Sequence, residues 1–197
     1  MKRLFMQEVA TRDGFQNEKT FIETEDKIAL IDALSQCGYA KIEVTSFTSP
    51  KAIPALRDAE AVMAGIVRRP GVEYTVLVPN VRGAERALGC AIDEANLVMS
   101  VSEPHNRSNL RMTREQSFAQ LTDVIEVIGQ GPVAVNVSLS TVFGCPMQGE
   151  VSADEVLAWV DRFAMLGVRG VTLCDTTGMA YPSQVQALSQ KVRERFP

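Results

Sequence analysis

The chain has 197 residues, 46% of them apolar and 22% charged, with a formal net charge of −4 at pH 7; the mean hydropathy is +0.01 and the sequence pI near 5.2. This is a soluble globular composition, which excludes disordered and collagen-like classes. It carries no basic field to hold a phosphate backbone, so nucleic acid is not an expected partner. No stretch approaches the roughly 18 uninterrupted apolar residues of a membrane span, and Leu4-Phe5-Met6 after Met1-Lys2-Arg3 is too short for a secretory leader. Cys37, Cys90, Cys145 and Cys174 include no C-x-x-C pair, so reduced thiols in the cytoplasm are expected rather than disulfides or a zinc knuckle.

In chain order, nearly continuous apolar runs predict doubly buried strands at Leu4 to Ala10, Lys41 to Phe47, Tyr74 to Val78, Ala95 to Val101, Val133 to Leu139 and Gly170 to Leu173. Helical spacing fills the gaps. The first helix is expected from Thr24 as N-cap, with Glu25 and Asp26 in its first turn, Ile28, Ile31, Leu34 and Cys37 on its apolar side and Gly38 as its stop. Weaker helices are expected over about Ile53 to Val67 and Arg82 to Leu88. Capping boxes at Thr113/Gln116 and Ser152/Glu155 open two more, closed by Gly129 and Gly167, and a last one follows Pro182. Trp159 and Phe163 lie on a helical stripe and read as core.

Strand starts at 4, 41, 74, 95, 133 and 170 therefore mark six βα repeats, which require a parallel sheet. An open doubly wound nucleotide binder would show G-x-G-x-x-G after its first strand, and Arg12-Asp13-Gly14-Phe15 does not. The alternative is a closed (β/α)₈ barrel, for which 197 residues fall just under the common span of roughly 200 to 250.

Polar residues collect at the C-terminal side of each apolar run: Arg12-Asp13, Glu43 to Ser46, Asn80, Ser102-Glu103 with His105-Asn106, Ser138 with Ser140-Thr141, and Asp175-Thr176-Thr177. In a barrel these ends form the mouth that carries active sites, and charges at the ends of core strands are costly unless paired or used. Arg12 and Asp13 together suit a developing oxyanion and a hard cation. An ion pair of Arg12 with Glu43 is the equally open structural reading.

Four ordered blocks then become familiar: Glu8 to Lys19 around Arg12-Asp13-Gly14-Phe15-Gln16-Asn17-Glu18, Ile42 to Lys51, Phe143 to Glu150, and Cys174 to Gly178. Over essentially the whole chain this resembles the 3-hydroxy-3-methylglutaryl-CoA lyases. The resemblance implies a divalent-metal (Mg²⁺ or Mn²⁺) TIM barrel, one domain over 1–197 of which this chain supplies about six βα units. It implies a carbon–carbon lyase that splits a 3-hydroxyacyl-CoA by retro-Claisen cleavage, with an acyl-CoA substrate and a homodimeric state. Carried over by position, Asp13 ligates the metal, Arg12 stabilises the enolate oxygen, Glu43 orients Arg12, and Asp175 with Thr176 completes the sixth-strand side. Gln16, Ser46, Asn80, His105 and Ser140 are candidate substrate contacts.

The family's metal site also takes an H-x-H from the seventh strand and an asparagine from the eighth, and a reactive cysteine lies in a later glycine-rich loop. Here His105 is the single histidine. A chain stopping before strands seven and eight, or closed by a partner, is therefore expected, and activity of the 197-residue chain alone stays open. Cys145 and Cys174 are read as packing residues, and Lys19, Lys51 and Arg111 as surface cations. Two other functions compete with the lyase: an isopropylmalate-type or citramalate-type synthase, which the block Phe15 to Glu18 argues against, and a non-catalytic module that binds a CoA-like ligand or a second subunit.

Overall fold

The computed structural model describes residues 4–129 and 131–196; Met1-Lys2-Arg3, weighed above as a leader, lie outside them. The chain divides into two compact units. One holds the chain up to Asn96 together with Glu126–Ala134, and the other holds Leu97–Ile125 and the chain from Val135 onward.

The first unit is built on strands β1 (Gln7–Glu8), β2 (Lys41–Ser46), β3 (Glu73–Leu77) and the first residues of β4 (Glu94–Ser100), adjacent in that order and parallel. Helices α1 (Thr24–Leu34), α2 (Ala59–Gly65) and α3 (Val81–Leu88) connect them. Its core is Ile42, Val44, Tyr74, Val76 and Ala95, all at most 1% exposed, with Ile31 from α1 and Val62 from α2 against them. Full burial of such a side chain is worth about 1.5–3 kcal/mol.

The second unit continues from β4 through β5 (Ala134–Ser140) to β6 (Gly170–Leu173), again in chain order, with β5 and β6 parallel. Helices α4 (Glu103–Leu110), α6 (Ala153–Met165) and α7 (Pro182–Arg195) belong to it, as does most of α5 (Arg114–Ile128). Phe118 packs edge-on against Phe163 at 5.0 Å between ring centroids, and Trp159 lies beside it. The core reading of Trp159 and Phe163 holds.

Strands two to six fall within a residue or so of their expected places; the first does not, and the last is less buried than expected. Leu4, Phe5 and Met6 are 66–88% exposed, and only Gln7–Glu8 pairs, because the chain leaves the sheet at Val9 for a π-helical turn over Ala10–Gly14. The last strand, Gly170–Leu173, is half-buried rather than doubly buried.

The first helix also departs from its expected form. Thr24 is its first residue rather than its N-cap and donates its hydroxyl to Asp58 Oδ2 at 2.8 Å. Its buried face runs through Lys27, Ile31 and Ser35, while Cys37 is exposed. The helix expected over Ile53 to Val67 is split into a 3₁₀ turn, Pro54–Leu56, and α2.

The segment after β4 is helical from Glu103 to Leu110, so His105 sits in a first helical turn and not in a loop. The box at Thr113/Gln116 forms reciprocally, at 2.9 and 3.0 Å. Only half of the box at Ser152/Glu155 forms, because the Glu155 carboxylate is drawn to Arg114.

Candidate active site

In the first unit the functional side chains stand on one tight turn and on the interior of β2. The turn Ala10–Gly14 is held at its start by Glu8, whose Oε1 accepts from the amides of both Val9 and Ala10 at 2.8 Å. These bonds, led by the one from Ala10, keep the Glu8 carboxyl below its ordinary value against the opposing effect of burial. Thr11, 1% exposed, ties the turn to β2 by donating its hydroxyl to the Glu43 carbonyl at 3.0 Å. Asn17 closes the far side on the Asp13 carbonyl at 2.8 Å.

So anchored, the turn aims Arg12 in two directions. Its Nε donates to Glu43 Oε1 at 2.7 Å and its Nη1 to Asp13 Oδ1 at 2.7 Å. The Glu43 side chain is 2% exposed and that of Arg12 13%, whereas Asp13 stands 56% exposed. The ion pair of Arg12 with Glu43 thus forms, and it is compatible with the site reading: a buried carboxylate fixes the guanidinium by its Nε edge. Gln16 joins the same group, its Nε2 lying 3.4 Å from Asp13 Oδ1.

Two other candidates of this unit carry local structural duties. Ser46 shares a 2.7 Å hydrogen bond with the Thr48 hydroxyl and accepts from the Thr48 amide. Asn80 caps α3, its Oδ1 accepting from Gly83 N at 3.0 Å.

The second unit brings Ser140 and Thr176 together through Thr141. Thr176 Oγ1 accepts from the Thr141 amide at 2.9 Å, and the Ser140 carbonyl accepts from the Thr141 hydroxyl at 2.6 Å and from Val101 N at 3.0 Å. Thr141 is fully buried and has φ +61°, a left-handed conformation that is strained for a β-branched residue. Asp175 is exposed, and its Oδ1 accepts from the amides of Met179 and Ala180 at 2.9 and 3.2 Å, closing the loop that follows β6. His105 Nδ1 lies 2.7 Å from the Ser100 hydroxyl.

Cys145 is buried, with its sulfur 3.0 Å from Ser102 Oγ and 3.4 Å from Met147 N. Burial pushes the thiol up, but hydrogen bonds from Ser102 and from the amides of Met147 and Gln148 outweigh it and leave it below the usual thiol range.

Glu8, Thr11 and Asn96 were not among the expected site residues. Asn96, in β4, places Nδ2 3.4 Å from Glu43 Oε2 and is 4% exposed. Its one sequence signal is an amide near the start of the run Ala95 to Val101.

Oxygen donors such as Asp13 suit a hard divalent cation. Among the described residues, however, no group of three or more His, Cys, Asp or Glu side chains is gathered to hold a metal. Asp13 offers one exposed carboxylate towards such a site and does not make one by itself.

A family model described as HMGL-like matches residues 3–197. The chain is 43% identical over 196 residues to the hydroxymethylglutaryl-CoA lyase of Bacillus subtilis, covering 100% of this chain and 66% of that protein. A crystal structure of the Bacillus subtilis HMG-CoA lyase superposes with a TM-score of 0.94, likewise over 100% of this chain and 66% of the other. An HMG-CoA lyase from Acinetobacter baumannii, solved in complex with coenzyme A and 3-methylmalate, is 46% identical with a TM-score of 0.92, over 98% of this chain and 63% of that one. The chain thus spans 63 to 66% of the length of these relatives. The parallel α/β architecture is that of the lyase TIM barrels, of which the chain represents part.

Proposed function

Since the chain belongs to the HMGL-like family, we propose that this protein is a divalent-metal-dependent carbon–carbon lyase that cleaves 3-hydroxy-3-methylglutaryl-CoA, or a close thioester relative, to acetoacetate or a related ketoacid and acetyl-CoA. The observation that carries this reading is the Arg12 guanidinium, fixed through Nε by a buried Glu43 and set beside the exposed carboxylate of Asp13.

In the reaction the substrate's C3 hydroxyl loses its proton, the C2–C3 bond breaks as the C3 ketone forms, and the bonding pair passes into a thioester enolate. Protonation at C2 then gives acetyl-CoA. Negative charge therefore develops on the thioester oxygen, where a guanidinium that is already oriented is most effective. Arg12 takes that role. Glu43 holds it in place, and the charge balance between them limits the cost of burying both. Asp13 would be among the ligands of a divalent cation, Mg²⁺ or Mn²⁺, which when bound would supply Lewis-acid polarisation of substrate oxygens. Asp175 is assigned a catalytic role, and Gln16, His105, Ser140 and Thr176 are assigned to substrate contact, with Ser46 and Asn80 second to them because their oxygens already serve local turns.

The coenzyme A bound by the Acinetobacter baumannii relative supports an acyl-CoA substrate. Family resemblance supports a homodimer, and the match of one family model across both units supports a single barrel domain. A cytoplasmic location is supported by four free cysteines. No helix among the described residues is long and apolar enough to cross a membrane.

The test is direct: the protein is incubated with 3-hydroxy-3-methylglutaryl-CoA and Mg²⁺ while acetoacetate is followed. Turnover that disappears on chelation and on Arg12→Gln is expected. Absence of turnover with Arg12 and Asp13 intact sinks the reading, and unchanged Mn²⁺ affinity by calorimetry in Asp13→Ala removes the ligand role.

A further inference from the structure

Two polar rungs cross the first unit from β2 to β4, passing over β3. In the lower one Lys41 Nζ meets Glu94 Oε1 at 2.5 Å, with Glu94 2% exposed. In the upper one Asn96 Nδ2 faces Glu43 Oε2 at 3.4 Å. The two rungs share a face because Lys41 and Glu43, and likewise Glu94 and Asn96, are two residues apart along their strands. Through the strand between, Glu43 pairs with Thr75 and Thr75 with Glu94, so these side chains share one face and each rung runs diagonally, two residues off the backbone register.

The rungs differ in charge for a physical reason. In the lower one the Lys41 ammonium meets the buried Glu94 carboxylate and, at 3.6 Å, that of Glu73. In the upper one the charge of Glu43 is already balanced by Arg12, bound through Oε1. A lysine at 96 would compete with Arg12 for the carboxylate, and an aspartate would repel it. A leucine would leave Oε2 facing apolar atoms, an expensive state for a buried carboxylate oxygen. A neutral donor is the side-chain type that engages Oε2 without changing the charge count, and asparagine supplies it.

We infer that Asn96 is a positioning residue for the reaction: it fixes the rotation of the Glu43 carboxylate and thereby the direction in which Arg12 presents its guanidinium. The effect passes through Glu43, with one carboxylate oxygen held from β4 and the other turned to Arg12. The kinetic part of this inference rests on the lyase reading above, while the positioning itself does not.

The experiment therefore carries two readouts on the same protein. The ¹⁵N–¹H signal of the Arg12 Nε–H, assigned by its loss in Arg12→Lys, is followed with its solvent-exchange rate in wild type and in Asn96→Leu. Asn96→Ser, which shortens the side chain without adding charge or bulk, gives the same readout should Asn96→Leu fail to fold. The expected result is a shifted signal that exchanges on the order of 10-fold faster, with kcat lower by on the order of 10–100-fold and KM little changed, the pattern of a misdirected but present catalytic group. An Arg12 signal and exchange rate unchanged in the folded variant overturns the inference, as does an unchanged kcat alongside active wild type. If wild type shows no lyase turnover, the lyase reading falls, and the Arg12 signal alone decides the role of Asn96.

Discussion

Arg12 donates its Nε–H to Glu43 Oε1 at 2.7 Å, and the pair is buried unequally: the carboxylate side chain is 2% exposed and the guanidinium side chain 13%. Arg12 has a second acceptor in Asp13, so losing Glu43 leaves it partly paired. Losing Arg12 strands a buried charge, a defect worth about 3–5 kcal/mol. Urea unfolding should therefore show Arg12→Met to be more destabilising than Glu43→Gln, which keeps an oxygen for Arg12. Turnover should fall in Arg12→Lys by on the order of 10²–10³-fold, because an ammonium cannot face Glu43 and Asp13 with the same planar fork. Equal stability of the Arg12→Met and Glu43→Gln proteins would show that the burial is not what fixes the pair.

Glu8 gives the turn that carries Arg12 and Asp13 a pH dependence. Its carboxylate accepts from Ala10 and Val9 amides, and the Ala10 bond is the main reason its carboxyl sits below the ordinary 4.5. A carboxyl depressed on folding contributes stability that is fully present above its unfolded value and is lost as pH falls through the lower folded value. Glu8→Gln is therefore expected to be less stable than wild type from about pH 5 upward, with the gap closing in more acidic buffer. Thermal melts of both proteins across that range measure it, and a gap that widens on acidification contradicts the assignment.

The six strands and their order could be read from the sequence because buried parallel strands carry short unbroken apolar runs, as at Val76–Leu77 in β3 and Leu97–Met99 in β4, although β2 has only Ile42 and Val44 apolar. The first is the exception. Leu4-Phe5-Met6 is apolar but pairs little, and what ends the strand is the capture of two backbone amides by Glu8, an interaction with no periodic signature. The first helix was shifted by about one position because Lys27 is buried, donating to Ala55 O and Asp58 Oδ1 at 2.7 Å each and lying 4.2 Å from the centre of the Phe21 ring. Hydropathy cannot announce a lysine whose partners lie 28 and 31 residues away. In the site, Arg12, Asp13 and Glu43 were legible as charges at strand ends, whereas Asn96 acts through a contact 53 residues distant along the chain.

Thr141 shows where strain is held in the second unit. Its φ of +61° is costly for a β-branched residue, about 1–3 kcal/mol. It persists because three segments hold it: Thr176 Oγ1 accepts its amide, the Ser140 carbonyl accepts its hydroxyl, and the Ser102 amide donates to that hydroxyl at 3.3 Å. Thr141→Val keeps the branch and the strain but removes the hydroxyl, leaving the Ser102 amide without this partner in a fully buried place, at a cost of about 1–3 kcal/mol. Thr141→Ser keeps the hydroxyl and relieves part of the crowding at Cβ, so its stability should match or exceed that of wild type. The bond that sets Ser140 beside Thr176 is made by the Thr141 amide, which both variants keep, so turnover should survive in both. Chemical denaturation of the two variants decides between bond and backbone: if Thr141→Val is as stable as Thr141→Ser, the hydroxyl contributes nothing, and the left-handed turn is held by packing alone.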